Sequence, residues 1–283
     1  MKISIITPVK NGEQFLSETM ESVLSQHGEF NLEYILVDGG STDETLAIIG
    51  EFKSRVELGI YKTNCLSIDI KLVTQRDEFM YQAVSAGLQL AKGDIVSYIN
   101  SDDLYFPNAF STIAHVFVKY PDVKWISGFP VRYNSKGEVI RVVMPFHYIT
   151  TLIEQGFYGT TLPFIQQESV FWRKELNTCI DFTTLEKLSL AGDYFIWHSF
   201  ARNNQALYLV ESLLAGNRLR AGQLSEDRVN YFREFNSIRS KPGILNTVKA
   251  FGIKVLEKFA GVSVKRALPG NRIVFKAGEW VKK

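Results

Sequence analysis

The sequence predicts an α/β protein with a Rossmann-like, mostly parallel central sheet flanked by helices. Three observations carry this. Short apolar runs of strand length alternate with longer stretches whose apolar residues recur at helical spacing. The runs are bounded by polar turns, so the order reads strand–helix–strand–helix, the pattern of a doubly wound parallel sheet. Acids and amides gather at the ends of those runs, where open parallel sheets bind ligands.

The elements follow in order. Lys2–Thr7 reads as a buried strand. Asn11-Gly-Glu-Gln14 has capping-box spacing, and Leu16, Met20, Val23 and Leu24 then share one helical face. Leu32–Val37 is a second strand ending in Asp38-Gly39-Gly40. Ser41-Thr-Asp-Glu44 repeats the capping-box spacing before a helix through Leu46, Ile48, Ile49 and Phe52. Lys71–Thr74 is a third strand. Met80, Val84, Leu88 and Ala91 form a helical stripe, with Gly93 placed as its C′ residue. Ile95–Ile99 is a strand that runs into Asn100-Ser-Asp-Asp103, and Pro107 suits the first position of the next helix. The second half is less regular. Val123–Phe129 and Val139–Val143 read as strands joined by the turn Tyr133–Gly137. His147–Gln166 has no clear period and is either a flexible loop over a cleft or an irregular packed segment. Leu185–Ala201 reads as a helix, Ala206–Val210 as a strand, and Lys241-Pro-Gly243 as a break.

Composition narrows the function. A chain of 283 residues with 46% hydrophobic and 22% charged content can build a large core. Two cysteines make no disulfide framework and point to reduced thiols in a cytosolic protein. No signal-peptide pattern opens the chain and no run is long and apolar enough to span a bilayer. The net charge of +2 hides an asymmetry: Lys241–Lys283 holds ten Lys and Arg against Glu257 and Glu279, a surplus of +8, which leaves Met1–Ser240 at −6. Within that basic segment, Ile244–Val264 mixes apolar residues with Lys249, Lys254 and Lys258. It is either an amphipathic helix on an anionic membrane surface or a helix packed on the catalytic domain. The acidic bulk of the chain argues against a nucleic-acid partner.

Adjacent carboxylates at a strand end either cap a turn or hold a hard cation such as Mg²⁺ or Mn²⁺. A Gly-rich dinucleotide loop, a P-loop and a Cys/His zinc cluster are all missing, which weakens dehydrogenase, NTPase and zinc-enzyme readings. His27, His115, His147 and His198 are scattered.

Four stretches taken together change the balance. Thr7-Pro-Val-Lys-Asn-Gly12, Val37-Asp-Gly-Gly-Ser-Thr-Asp43, Ala91-Lys-Gly-Asp94 and Asn100-Ser-Asp-Asp103, in this order, resemble the nucleotide-sugar-binding half of family 2 glycosyltransferases of the GT-A fold. The resemblance is close over about the first 110 residues and looser to about residue 230. It implies a donor half at 1–110 and an acceptor half at 111–240; the charge count and the break at Lys241 set off a basic tail at 241–283. It further implies that Asp38 binds the donor base, that Thr7, Pro8 and Val9 line the nucleoside, and that Asp77 and neighbouring Arg76 lie close to it. Asp102 matches a ribose- or metal-side acid, and Asp103 the direct metal ligand; Asn100 stands where relatives often carry another acid. Gln166–Arg173 looks like the acceptor-side segment, with Glu168 as a second candidate base. Ala191-Gly-Asp-Tyr194 looks like the catalytic-base motif. Gly192 replaces its usual Glu, so Asp193 alone inherits the role, the alternative being a helix N-cap. Arg218–Ser225 resembles a segment near the donor phosphates, where Arg220 either pairs with the diphosphate or is simply exposed.

The resemblance therefore implies an inverting, metal-dependent transfer of a sugar, from a UDP-sugar by family habit, to a glycan or lipid-linked hydroxyl on the cytoplasmic side of a membrane. Two rivals remain: a non-catalytic nucleotide-sugar-binding protein on the same fold, and a sugar nucleotidyltransferase, which would want a Gly-rich phosphate loop after strand one.

Overall fold

The structure is a computed structural model that describes residues 1–220, 222–223, 226–267 and 270–283. In chain order it contains β1 (Lys2–Val9), α1 (Leu16–Leu24), β2 (Gly28–Asp38), α2 (Thr45–Glu57), β3 (Cys65–Thr74), α3 (Met80–Leu90), β4 (Ile95–Tyr98), β5 (Leu104–Tyr105) and α4 (Ala109–Lys119). These are followed by β6 (Trp125–Ser127), β7 (Val131–Tyr133), β8 (Val139–Val142), α5 (Thr150–Glu154), β9 (Val170–Arg173), α6 (Phe182–Leu185) and α7 (Gly192–Arg202). The last elements are β10 (Leu207–Val210), β11 (Ala215–Arg218), α8 (Arg228–Ile238), α9 (Ile244–Phe259), α10 (Val262–Ala267), β12 (Arg272–Lys276) and β13 (Glu279–Lys282). Nine strands form one sheet in the order β13-β12-β10-β6-β9-β4-β1-β2-β3. It is parallel except at β9, which runs against β4 and β6, and at β13, which runs against β12. A smaller sheet, β5-β11-β7-β8, flanks it.

β1 is buried from Ile3 onward and β4 along its whole length because both sheet faces are covered. One face packs Ile6, Ile35, Val84 and Leu88 with Trp125, Trp172 and Trp197; the other packs Ile3, Ile5 and Tyr34 with Leu16, Met20 and Phe110. The expected stripe on α1 is buried as read.

Several local expectations are corrected. Neither capping box forms. Asn11, with a left-handed φ of 54°, accepts Thr42 N (2.8 Å) through its side chain, while Asn11 N, Gly12 N and Glu13 N donate to the side chains of Ser41, Thr45 and Asp43. The two loops thus satisfy each other instead of their own helices. Gly93 is no C′ residue; a Cβ there would lie 2.7 Å from Ser4 N, so the close approach of the turn to β1 demands glycine. Pro107 precedes α4 by two residues, and Asn108, with a φ of 67°, opens the helix. The turn Tyr133–Gly137 joins β7, not β6, to β8. His147–Gln166 is packed, with Tyr148, Leu152, Ile153, Phe157 and Tyr158 in the core. Leu185–Ala201 is two helices, α6 and α7, separated by residues 186–191. The boundary expected at Lys241 does not divide the fold: β12 pairs with β10 and β13 closes the sheet edge, while Arg272 Nη1 bonds Glu211 Oε1 at 3.0 Å.

Glu33 on β2 makes an acid-sensitive lock. Its buried carboxylate accepts Lys71 Nζ (2.5 Å), Lys92 N (2.7 Å) and Ser4 Oγ. Burial pushes its pKa up, but these bonds outweigh that and hold it at about 2, against an ordinary 4.5. A depressed carboxyl stabilises the fold above its unfolded pKa, and that stability is lost as pH falls through the folded one. Urea titrations of the parent chain should therefore lose on the order of 3 kcal/mol between pH 5 and pH 2 that Glu33→Gln does not lose. Parallel pH profiles for the two chains would refute the lock.

Candidate active site

Register brings four strand ends to one rim. Val9 of β1 pairs with Asp38 of β2, Asp38 with Thr74 of β3, and Ile6 of β1 with Tyr98 of β4. Beyond this rim lies a cleft of about 730 Å³. Its walls include Pro8, Val9 and Lys10 after β1, Asp77 after β3, Asn100 and Asp102 after β4, Glu168 before β9, Asp193 on α7, Arg220 after β11 and Tyr231 on α8. None of the four histidines lines it among the described residues.

Not every expected donor-side residue reaches the cleft. Thr7 is fully buried and its hydroxyl meets Tyr34 Oη at 3.1 Å. Asp38 is also buried; its carboxylate accepts Gly40 N (3.1 Å) and Ser41 N (3.2 Å), so it shapes the Gly39-Gly40 turn. Arg76 is exposed outside the wall. Asp77 is the acid that faces inward. Gln75 Nε2 holds its Oδ1 at 2.7 Å, while its buried Oδ2 has no partner among the described residues. Burial, then the nearby charge of Asp38, raises its pKa.

The Asn100–Asp103 turn divides its two acids between two jobs. Asp102 faces the cleft; Arg220 Nε donates to its Oδ2 at 2.6 Å. Asp103, expected from the resemblance as the direct metal ligand, is buried behind it. Its carboxylate accepts Arg218 N (2.8 Å) and Asn100 Nδ2 (3.2 Å) and shares a hydrogen bond with Glu168. Burial, then the charges of Glu168 and Asp102, pushes its pKa well above the usual carboxylate range. The asparagine at position 100 now has a reason: its amide supplies the donor that another acid would lack. Arg218 braces the turn from below. It is fully buried, with Nε on Asp102 O (2.9 Å), Nη1 on Ser135 O (3.2 Å), Nη2 on Glu18 Oε2 (2.6 Å), and its guanidinium over the Phe15 ring.

No group of three metal-ligating side chains occurs among the described residues. Asp102 Oδ1 makes no hydrogen bond among them, so a cation fits only as a thin site: one carboxylate oxygen from the chain and the rest of the shell from phosphate oxygens and water. Of the Arg218–Ser225 stretch, Ala221, Leu224 and Ser225 lie outside the described residues.

Asp193 sits in the first turn of α7 and is not its N-cap, which is Ala191. Its Oδ1 accepts its neighbour Tyr194 N (2.6 Å), and Tyr231 bonds its carboxylate. Burial, reinforced by the charge of Glu168, raises its pKa to about 7. Gly192 is required beside it: a Cβ there would stand 2.4 Å from the Tyr81 ring, which fills the space a glutamate would need. The loop entering α7 is held by Glu234 of α8, whose carboxylate accepts Ser189 N (3.0 Å), Leu190 N (2.9 Å) and Ala191 N (2.9 Å). Tyr231 and Glu234 escaped sequence reading because nothing in their spacing marks them, and Arg218 was read only as the start of a segment; the packing of β11 and α8 against the site gives all three their roles.

The model of Glycosyl transferase family 2 matches residues 4–180. An uncharacterized glycosyltransferase of Rickettsia prowazekii is 26% identical over 251 residues, 84% of this chain and 70% of its own. The Staphylococcus aureus poly(ribitol-phosphate) beta-N-acetylglucosaminyltransferase TarS is 23% identical over 221 residues, 72% of this chain and 36% of its own. Its crystal structure with UDP-GlcNAc superposes with a TM-score of 0.61 at 15% identity, over 92% of this chain and 73% of that one. GalNAc-T7, solved with UDP, GalNAc and Mn²⁺, has a TM-score of 0.56 at 16% identity, over 83% of this chain and 47% of that one. These likenesses establish the GT-A fold, and with a family match over most of its length the chain belongs to glycosyl transferase family 2.

Proposed function

We propose that this glycosyltransferase moves a sugar from a UDP-sugar to a hydroxyl of a glycan or lipid-linked acceptor, with inversion, in cell-envelope glycan synthesis. One observation carries the reading: a single cleft brings together the Asp102–Arg220 ion pair and Asp193, a buried acid whose pKa is raised to about 7. TarS, named for transfer of N-acetylglucosamine and solved with UDP-GlcNAc, and a Bacillus subtilis minor teichoic acid biosynthesis protein, 31% identical over 139 residues, support the donor and pathway.

In this reading the free Oδ2 of Asp77 accepts from the nucleobase. Arg220 spends Nε on Asp102 and turns its two terminal nitrogens to the diphosphate, the bidentate geometry guanidinium favours. A Mg²⁺ or Mn²⁺ ion on Asp102, when bound, supplies Lewis-acid stabilisation to the leaving group. Asp193 takes the acceptor hydroxyl proton as that oxygen bonds to the anomeric carbon. The bond to the diphosphate breaks, and its electron pair leaves with the phosphate oxygen. One displacement inverts the anomeric centre.

Thermal unfolding of the full chain with UDP-GlcNAc and related donors, with and without Mn²⁺, tests this. UDP-sugar should raise the midpoint, Mn²⁺ should raise it further, and Asp102→Asn should abolish only the second increment. Slow UDP release should accompany Mn²⁺. Binding without any release or transfer would instead favour the non-catalytic binder, and no shift with any UDP-sugar would overturn the donor assignment.

A further inference from the structure

α9 is mounted with its apolar side outward. Its inner side meets the protein through Ala250 and Ile253, which join the core, and through Glu257, whose Oε1 accepts Phe146 N at 3.3 Å. On the outer side Ile244, Leu245, Val248, Phe251, Val255 and Phe259 are all exposed, Ile244 at 87% and Phe259 at 75%. At 100° per residue these six fall within an arc of about 120°. Single exposed apolar residues are ordinary, but a continuous strip of this size marks a surface that something covers.

Charge identifies what covers it. Lys249 lies on one margin of the strip, and Lys254 and Lys258 on the other; all three are exposed. Glu257 is the one acid of α9 and points inward. The segment from Lys241 onward carries +8 against −6 for the rest of the chain. An apolar strip between two lysine margins matches the boundary between acyl chains and anionic headgroups, where lysine stems lie along the apolar layer and their ammonium groups reach the phosphates. A second copy of the chain fits poorly, because the outer side of α9 offers no acid to meet another copy's lysines.

We propose that the outer side of α9 docks the enzyme on an anionic lipid surface, lying in the interface rather than crossing it. No helix among the described residues is long and apolar enough to cross a membrane. The proposal stands independently of the transfer reaction, since UDP release from a soluble donor reports the cleft alone.

The test is co-sedimentation of the full chain with vesicles of phosphatidylcholine, alone or mixed with phosphatidylglycerol. The parent should pellet with the mixed vesicles and release in high salt. The exposed double variant Val248→Ser/Phe251→Ser should lose binding to both compositions, while its UDP release stays at the parent level. Lys254→Gln/Lys258→Gln should bind mixed vesicles about thirtyfold more weakly, the equivalent of two surface charges, and phosphatidylcholine vesicles unchanged. A parent chain that stays in the supernatant with mixed vesicles overturns the proposal. So does equal binding by the Val248/Phe251 variant. Light scattering that finds a dimer lost in that variant, without vesicle binding, would assign the strip to a second copy instead.

Discussion

Asp193→Asn is expected to reduce transfer about 10²–10⁴-fold, the usual contribution of a positioned general base, with donor affinity unchanged. The substitution keeps the shape and the hydrogen bond from Tyr194 N but removes the lone pair that takes the proton. A second readout separates chemistry from folding. An acid raised from its ordinary 3.8 to about 7 by burial favours the folded state fully only below the unfolded pKa, and that contribution disappears as pH rises through 7. Asp193→Asn should therefore unfold at a higher temperature than the parent at pH 8, and the advantage should vanish below pH 4. The parent's kcat/KM should fall on the acid side with an apparent pKa near 7, because only the deprotonated carboxylate accepts. Glu168→Gln, which removes a negative neighbour, should move that limb to lower pH. Near-parental turnover in Asp193→Asn would take the base role from this residue.

Arg218→Met carries the largest expected loss of stability, about 3–5 kcal/mol. The methionine fills most of the volume but leaves the buried Asp102 carbonyl without its donor, a cost of about 1–3 kcal/mol, and gives up the part-buried bond to Ser135 O and the contact with Phe15. Glu18 contributes little to the sum, since its half-exposed carboxylate returns to water. For a chain of this length the midpoint should drop by roughly 10 °C. Arg218→Lys, which keeps the charge but lacks the planar fork, should fall between. Because Arg218 holds the Asp102 carbonyl and its own N–H holds Asp103, donor binding should weaken in the folded fraction as well. A midpoint within about 2 °C of the parent would show that the turn holds itself.

The donor-side turns were legible because strand ends, helix starts and acids occupy fixed places in a parallel sheet. Asp77 and Asp102 were singled out on that basis, Pro8, Val9, Glu168, Asp193 and Arg220 only through the family resemblance, and all seven line one cleft. Hydrogen bonding inside the turns was not legible. Asp38 and Asp103 look from sequence like their neighbours Asp77 and Asp102, yet each carboxylate is taken up by N–H groups that the chain buries nearby. The capping boxes failed for the same reason: donors in one loop found acceptors in the other.

What the sequence alone determined, then, was the alternation of strand and helix, the rim where polar residues gather, and the family. These depend on residue order and periodicity, which are local. Only the tertiary structure decided which carboxylate of each pair faces the cleft, that Arg218, Tyr231 and Glu234 serve it, that β12 and β13 complete the sheet, and that α9 turns its apolar side out. Those outcomes depend on which distant groups compete for the same hydrogen bonds and the same buried space, and separation along the chain carries no record of that competition.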